Sequence, residues 1–439
     1  MTQIAPNPID FTLGLTWSDL PAQVRLQAKL NILDTLGIGA GGLGTKLSTI
    51  TRNHSAEVYG GALPMLYDGR AVSAPGWALA AGITIDSLDG HDGYNPAKGH
   101  IAAPMMPAAL ALGMAHGISG EEFLANIVAG YEIGGRTAEA QHGTVPDYHT
   151  SGSWGAVAAA AVGARIAGLD REQLRHAIGI AEYHGPRSQM MRCIDYPTMV
   201  KDGAGWGAMT GVSAVMMAAR GFTGAPALTV EQAPDYWGDL GQRWITCQQY
   251  YKPFPVCRWA QGPIEGILEL MEKHSITHDQ VERIEATTFH ESVRLATKTP
   301  RNTEEAQYST SFPCAVALVK GTVDPEHIAD DALNDPDVLR HSNAMVMLES
   351  DYANEHFPQR RFAKVALLMK DGRRLEGDYL EPRWSPDTQP TEGDLRAKFH
   401  SVAAPVLGAE RAAAIEAAID TLENTSLTAL TDLLVQPIS

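Results

Sequence analysis

Apolar side chains recur at helical spacing through the first 270 residues of the chain. The first such set follows Ser18, a predicted N-cap, and consists of Leu26, Leu30, Leu33 and Gly37, at positions i, i+4, i+7 and i+11. Two later helices begin at predicted capping boxes, Ser119 with Glu122 and Asp170 with Gln173. Because no segment of this half alternates with period two, the pattern predicts an all-helical domain.

Many of these predicted helices are rich in alanine and glycine, as in residues 155–169. Small side chains on a helix face allow two backbones to approach closely, so we expect tight helix–helix contacts. The 155–169 segment is too short to cross a bilayer and is interrupted by Arg165, which indicates a core helix.

The pattern changes near residue 278. Val281, Ile284 and Ala286 alternate with polar neighbours and predict a strand. Residues 361–380 predict two strands joined at Asp371-Gly372, because Asp-Gly between such runs is a strong hairpin signal. A predicted helix, SFPCAVALVKG, lies between these strands, and the chain ends in further helix.

These elements predict a mostly α-helical protein with two domains. Residues 1–270 together with 401–439 form the large all-helical domain, and residues 271–400 form a smaller α+β lid domain. A cleft between two domains is a usual place for a small-ligand site.

Composition narrows the class of protein. Hydrophobic residues make up 44% and charged residues 19%, as in a folded globular protein. The formal net charge of -17 argues against nucleic acid and membrane partners, which need a basic surface, but leaves room for a small anionic substrate. The four cysteines form no CxxC pair and predict free thiols in the cytoplasm, and the N-terminal segment MTQIAPNPIDFTLGL does not resemble a signal peptide.

Ionisable residues cluster at four loop-to-helix junctions. The first junction, LDGHDGYNPAKGH (88–100), contributes Asp89, His91, Asp92, Lys98 and His100; the others contribute His149, Lys201 with Asp202, and Lys252 with Arg258. Cations on glycine- or proline-rich loops of an acidic chain indicate carboxylate recognition. Taken one at a time, His149 is also typical of a turn, Lys201-Asp202 of a surface ion pair, and Lys252 of a solvated loop.

A metal site is the main chemical alternative at the first junction. Two histidines and two aspartates, His91, His100, Asp89 and Asp92, are ligand types that suit zinc, manganese or iron(II). Neither HxH nor HExxH spacing occurs, so we predict no metal here. The segments TSGSWGA and GAGWGA lack the preceding strand that a nucleophile elbow or a dinucleotide site requires.

In their order along the chain, the four junctions resemble the MmgE/PrpD family, which includes 2-methylcitrate dehydratases, cis-aconitate decarboxylases and an iminodisuccinate epimerase. The matching segments are LNILDTLGIGAGG, the 88–100 loop, SGEEFLANIVAGYEIGGR, YHTSGSWGAVAAAAVGARIAGLD, MVKDGAGWGAMTGV, YKPFPVCRW, AQYSTSFPCAVAL and LLMKDGRRLEG. The resemblance implies a helical domain with an α+β lid, a homodimer without cofactor, and an active site between the domains. It places the family's functional positions on Asp89, His100, His149, Lys201 and Lys252.

Two departures from the family pattern concern hydroxyl groups. Where members tend to carry D-F-x-D-T, this chain has Asp89-Gly90-His91-Asp92-Gly93, so Gly93 replaces a threonine and His91 is added. Phe312 stands where members often have a tyrosine. Each change removes a possible proton donor, which weakens a strict dehydratase or decarboxylase assignment.

We expect proton removal, or loss of CO2, next to a carboxylate. His100 and His149 then handle protons, Lys201 and Lys252 stabilise charge, Asp89 orients a histidine, and His91 is a further base or donor. The predicted substrate contacts are Lys252, Arg258, Asp92 and Tyr94. The first hypothesis is a lyase of the dehydratase type acting on a di- or tricarboxylate, the second is an epimerase with two bases, and the third is an inactive carboxylate-binding protein.

Overall fold

The computed structural model describes residues 7–438. The absence of a signal peptide was predicted partly from residues 1–6, which lie outside the described residues. The helices are α1 (Pro8–Gly14), α2 (Ala22–Gly41), α3 (Lys46–Val58), α4 (Ala74–Asp86), α5 (Ala102–His116), α6 (Gly120–Thr144), α7 (Ser151–Ile166), α8 (Arg171–His184), α9 (Met190–Asp195), α10 (Ala204–Ala218), α11 (Leu228–Glu231), α12 (Arg258–His274), α13 (His290–Val293), α14 (Thr303–Gln307), α15 (Ser311–Lys320), α16 (Pro336–Ala344), α17 (Asp351–His356), α18 (Glu392–Leu407), α19 (Ala409–Asp420) and α20 (Thr428–Leu434). The strands are β1 (Leu63–Pro64), β2 (Ala71–Val72), β3 (Val281–Thr288), β4 (Val346–Glu349), β5 (Ala363–Met369) and β6 (Arg374–Glu376).

The first hydrophobic core is helical, and α7 lies at its centre. This helix packs against α5, α6, α8 and α10. A Cβ added to Gly207 of α10 would lie 2.5 Å from the carbonyl oxygen of Gly152 in α7, and one added to Gly211 would lie 2.4 Å from the Cβ of Ala159. The expected close approach of helices rich in small residues is therefore present, and it holds the first turns of α7 and α10 side by side.

The second core surrounds a four-stranded sheet in the order β4-β3-β5-β6. β3 pairs with β4 in parallel and with β5 antiparallel, where Ile284 lies opposite Leu367. A register shift between Val281 and Arg283 allows Val281 and Ile284, three residues apart, to be buried together. Helices α12 and α16 pack on the sheet, and α15 packs on these two helices.

The last helices return to the first core. α18 packs on α2, and Phe399 lies against Gly37. The predicted domain boundaries at 270/271 and 400/401 fall inside α12 and α18, and α12 packs within the sheet core. The mostly helical architecture with a smaller unit that contains a sheet is as predicted; the exact domain limits stay a prediction.

Several local predictions differ from the structure. Ser18 lies in a short 3-10 helix, and α2 begins at Ala22 after Pro21, because proline is well suited to a helix start. Ser119 caps α6 through the Glu122 amide, but the Glu122 carboxylate pairs with Arg165 and does not return to complete the capping box. The capping box of Asp170 is complete, as predicted.

The strands also differ from the prediction in detail. β1 and β2 form a two-residue antiparallel pair within the helical part, too short to produce an alternating pattern. β4 was missed because it is only four residues long and its first two residues are half-buried. At the predicted hairpin turn only Gly372, and not Asp371, has a positive φ.

Within residues 7–438, no helix is both long enough and apolar enough to span a membrane. All four cysteines are free thiols; Cys247 is half-buried and the other three are buried.

Candidate active site

The four charged junctions meet where the two cores join. The 87–101 loop links α4 to α5, and the amide of Gly152 at the start of α7 donates to the Asp202 carbonyl just before α10. Residues 249–257 lead into α12, and Gln307 ends α14. The close packing of α7 on α10 therefore brings distant parts of the sequence around one buried cluster.

Asp89 and Lys252 form the centre of this cluster. The Lys252 ammonium donates to the Asp89 carboxylate and, at 3.0 Å, to the Asp89 carbonyl oxygen. The Lys252 side chain is fully buried and that of Asp89 is 4% exposed. Burial opposes ionisation of both groups, but their mutual attraction outweighs it, so the pKa of Asp89 is lowered and the pKa of Lys252 is raised. Both side chains are charged at neutral pH.

His100 faces this pair as a neutral imidazole. Its Nδ1 lies 2.6 Å from the carbonyl oxygen of Asp92, which requires a proton on Nδ1 and leaves Nε2 as an acceptor. Nε2 lies 3.4 Å from Oδ1 of Asp89. Burial, followed by the positive charge of Lys252, lowers the pKa of His100 well below its usual range. The structure thus holds an unprotonated ring nitrogen beside a buried ammonium group.

His91 packs directly on His100. The two rings are edge to face with centroids 4.3 Å apart. Nε2 of His91 lies 3.6 Å from Oδ1 of Asp86 and, among the described residues, makes no hydrogen bond. His91 therefore belongs to the cluster, where it packs against the His100 ring and lies near the Asp86 carboxylate of α4.

Lys201 joins the cluster through Gln307. Oε1 of Gln307 accepts from Nζ of Lys201 at 2.6 Å and from the amide of Asp89 at 2.8 Å. The Lys201 ammonium also lies 4.8 Å from the centre of the Tyr308 ring, and its backbone φ is +46°. This left-handed backbone turns the side chain into the junction, at the small energetic cost that functional sites commonly carry.

Asp202 fixes the end of the 87–101 loop through Ser151. Its carboxylate accepts from the Ser151 hydroxyl and, at 3.2 Å, from the Ser151 amide, while Ser151 Oγ accepts from the His100 amide at 2.8 Å. Burial and then the negative charge of Asp86 raise the pKa of Asp202 to about 7. Asp202 therefore holds the first turn of α7 and the end of the 87–101 loop in register.

An open cavity of about 460 Å³ lies beside the cluster. Thr150, Lys201 and Gly203 form its inner wall, Cys193 lies in its lining, and the exposed Arg192 adds a second cation. The volume is within the range of small-molecule sites. Lys201 belongs to both the cavity and the cluster, so a ligand in the cavity would meet the buried charges through this side chain.

His149 directly precedes Thr150, which lines the cavity. Its Nδ1 lies 2.9 Å from the Asp147 carbonyl oxygen, so Nε2 is again the acceptor nitrogen. Among residues 7–438, no hydrogen bond or ion pair joins the His149 side chain to Asp89, His100 or Lys252.

Three of the predicted substrate contacts are occupied by the protein itself. Arg258 donates to the carbonyls of Tyr251, Pro382 and Arg383 and to Ser385 Oγ, so its guanidinium ties α12 to the 382–385 segment. The Tyr94 hydroxyl pairs with Glu139 and accepts from Arg243 at 2.8 Å. These contacts take both side chains away from the cavity.

Asp92 is the third. Oδ2 of Asp92 accepts from the Tyr131 hydroxyl at 2.7 Å. Burial and then Asp34 raise the pKa of Asp92 to about 7. Its carbonyl oxygen, and not its carboxylate, holds His100, so Asp92 positions the histidine through the backbone.

Asp89, His91 and His100 could offer metal ligands, because one ligand atom from each lies within 4.8 Å of the others. The Lys252 ammonium already occupies Asp89, and a dication there would have to displace it against charge repulsion. The donor set therefore fits an internal ion pair better than a metal ion, and the absence of a metal stays a prediction.

Phe312 lies in the sheet core, fully buried among apolar side chains.

Sequence reasoning missed Gln307, Ser151, Asp86, Arg192 and Tyr308. Four of them contact residues far away in the chain, and Arg192 is identified only by its place in the cavity lining, so their local sequence does not distinguish them.

Comparison with known proteins decides the family. The model for the MmgE/PrpD N-terminal domain matches residues 9–236, and the model for the C-terminal domain matches residues 254–424. The chain belongs to the MmgE/PrpD family.

Relatives of this MmgE/PrpD protein are similar along nearly their whole length. The cis-aconitate decarboxylase-like protein oryM of Aspergillus oryzae is 24% identical, with 93% of this chain and 92% of the relative covered. Cis-aconitate decarboxylase of Aspergillus terreus is 23% identical (97% and 94%), and that of Mus musculus is 24% identical (97% and 92%). At this level of identity the relatives indicate carboxylate chemistry in general and leave the reaction open.

Proposed function

We propose that the protein is a lyase of the dehydratase type that removes a proton next to a carboxylate of a small di- or tricarboxylate. The observation that carries this proposal is the neutral His100, whose Nε2 is free of a proton and lies beside the buried Lys252–Asp89 pair. A base in this state can accept a proton from carbon at neutral pH.

The surrounding charges support the same chemistry. Removal of a proton next to a carboxylate places negative charge on the carboxylate oxygens, and the ammonium groups of Lys201 and Lys252 would stabilise it. Arg192 at the cavity mouth would attract the remaining carboxylate. Asp89 keeps Lys252 charged in its buried position.

Two other reactions have specific support. His149 has the same arrangement as His100, with Nδ1 on a carbonyl and Nε2 free, which favours an epimerase if the two bases approach one carbon from opposite sides. The similar proteins are named cis-aconitate decarboxylases, which favours loss of CO2. The homodimer and the cytoplasmic location implied by the sequence stay predictions.

The test is a panel of di- and tricarboxylates followed by NMR in D2O. We expect deuterium to enter the carbon next to a carboxylate and an alkene to form. His100→Asn keeps a donor for the Asp92 carbonyl but has no Nε2, so exchange should fall by about 10²- to 10⁴-fold.

His400→Asn is the matched control, because His400 pairs with Glu416 on α19, outside the cluster. Exchange without an alkene would favour the epimerase, and release of CO2 the decarboxylase. Binding of a carboxylate with neither exchange nor product, unchanged in His100→Asn, would support the inactive binding protein and contradict the proposal.

A further inference from the structure

Gly93 and Tyr250 face each other across a short backbone pairing. The Gly93 amide donates to the Tyr250 carbonyl at 3.0 Å, and the Tyr250 amide donates to the Gly93 carbonyl at 2.7 Å. A Cβ built on Gly93 would lie 2.4 Å from both Cζ and the hydroxyl oxygen of Tyr250. The Tyr250 hydroxyl therefore occupies the space in which a side chain of residue 93 would begin.

Tyr250 lies beside the part of the 87–101 loop that holds His100. Gly93 directly follows Asp92, whose carbonyl holds Nδ1 of His100. The Tyr250 ring is edge-on to the His100 ring, with centroids 6.4 Å apart. Tyr250 also precedes Lys252 by two residues, so one segment supplies both an ammonium group and a phenol to the cluster.

The Tyr250 side chain is buried, but its hydroxyl oxygen is not completely enclosed. The residue is 2% exposed, and no hydrogen bond to its hydroxyl occurs among residues 7–438. The nearby hydroxyls of Tyr94, Tyr131 and Tyr251 are all bonded, to Glu139, Asp92 and Asn31 respectively. A hydroxyl that bonds no group of the protein remains able to donate to a ligand.

The charges around Tyr250 suit a proton donor. Burial raises its pKa, and the positive charges of Arg361, Lys252 and Arg258 oppose this rise. The guanidinium carbons of Arg258 and Arg361 lie 4.6 and 5.2 Å from the ring centre. The phenol is thus protonated at neutral pH. The positive charges of Arg258 and Arg361 would stabilise the phenolate that forms when it donates its proton.

We propose that the Tyr250 hydroxyl is the proton donor to the leaving group, an inference that rests on the proposed lyase function. His100 Nε2 takes the proton from carbon, and the C–H electron pair becomes an enolate facing the lysines. This pair then forms the C=C bond while the C–O bond breaks, and the departing oxygen takes the Tyr250 proton and leaves as water. Net transfer of one proton from the His100 imidazolium to the Tyr250 phenolate, through solvent, restores the enzyme.

Tyr250→Phe tests this role, and Tyr251→Phe is the matched control. Tyr250→Phe keeps the ring but removes the donor, so alkene formation should fall by about 10²- to 10⁴-fold while deuterium exchange by His100 stays within about tenfold. The KM should change less than kcat. Tyr251→Phe removes a hydroxyl that bonds Asn31 in α2, and it should retain activity within about threefold.

Gly93→Ala provides a second, steric test. The added Cβ would displace the Tyr250 hydroxyl, so it should lower alkene formation strongly in the wild type but little further in Tyr250→Phe. Additive losses would overturn the proposal. So would full alkene formation by Tyr250→Phe, an equal loss in Tyr251→Phe, or loss of exchange in proportion to product. A wild-type enzyme without exchange or product would overturn the lyase function itself, and the donor role with it.

Discussion

At the scale of single residues, the site depends on charges that are balanced inside the protein. Asp89 and Lys252 are both buried, and neither has a solvent shell to replace the other. Removing one partner of such a pair leaves an uncompensated buried charge, which typically costs 3–5 kcal/mol, whereas removing both is far milder.

Asp89→Asn should therefore lower the free energy of unfolding by about 3–5 kcal/mol, and Asp89→Asn with Lys252→Met should recover part of the loss. Urea unfolding monitored by circular dichroism measures both. Asp10→Asn is the control, because Asp10 and Arg171 form an exposed pair that adds little to stability. Equal losses at Asp10 and Asp89 would contradict the buried-pair interpretation.

The lowered pKa of His100 gives a stability profile with a definite sign. The unfolded chain binds a proton at His100 near pH 6.5, and the folded chain does so only at lower pH, so stability from this residue is lost as pH falls below about 6.5. The unfolding free energy of the wild type minus that of His100→Asn should therefore decrease as the pH falls from 7.5 to 5. Unfolding free energies at pH 7.5, 6 and 5 measure this difference, and a difference independent of pH would contradict the neutral imidazole.

Residue types at the four junctions left open whether the loops meet. The resemblance to the MmgE/PrpD family was what placed Asp89, His100, Lys201 and Lys252 in one predicted site. The sequence could not show that Arg258 and Tyr94 are used internally, because their partners, such as Ser385 and Glu139, are distant in the chain. A charged residue near a site has the same sequence signal whether it bonds a substrate or a backbone carbonyl.

At the scale of elements, two glycine contacts align the loops that carry the site. Gly207 of α10 packs on Gly152 of α7, and this contact sets the distance between Thr150 and Lys201 at the cavity wall. The richness of these helices in small residues predicted the close approach. It could not predict which glycines meet, because that depends on the register of two helices about 50 residues apart.

Gly207→Ala should place a Cβ 2.5 Å from the Gly152 carbonyl oxygen and force α7 and α10 apart. We expect a loss of about 1–3 kcal/mol in unfolding free energy, together with reduced turnover. Thermal unfolding and the D2O assay measure the two effects. Gly14→Ala is the control because no described residue has an atom within 4 Å of its added Cβ, and a similar loss there would exclude the packing explanation.

At the scale of the whole molecule, Gln307 connects the two cores. It comes from α14 on the sheet side, and its amide accepts from Asp89 and Lys201 and donates to the Ser87 carbonyl at 3.0 Å. The mostly helical fold with a smaller sheet-containing unit could be predicted from periodicity. This connection could not, because one glutamine carries no sequence pattern.

Gln307→Leu should leave the Asp89 amide and the Lys201 ammonium without their acceptor, at a cost of about 1–3 kcal/mol each. We expect lower stability and a raised KM, measured by urea unfolding and steady-state kinetics. Asn126→Ala is the control, a buried amide whose side-chain hydrogen bonds within residues 7–438 both go to Glu122, and it should lower stability without changing KM. A KM unchanged in Gln307→Leu would separate the glutamine from ligand binding.

The division of the cluster between the two cores also matters for recombination between relatives. A crossover near residue 245 would inherit Asp89, His100 and Lys201 from one parent, and Lys252 and Gln307 from the other. The parents would have to agree at the Lys252–Asp89 pair, the Gln307 amide, the Gly93–Tyr250 pairing and the packing of α18 on α2. Chimeras that keep these contacts could therefore exchange the residues around the cavity mouth as a block, and with them the choice of acid.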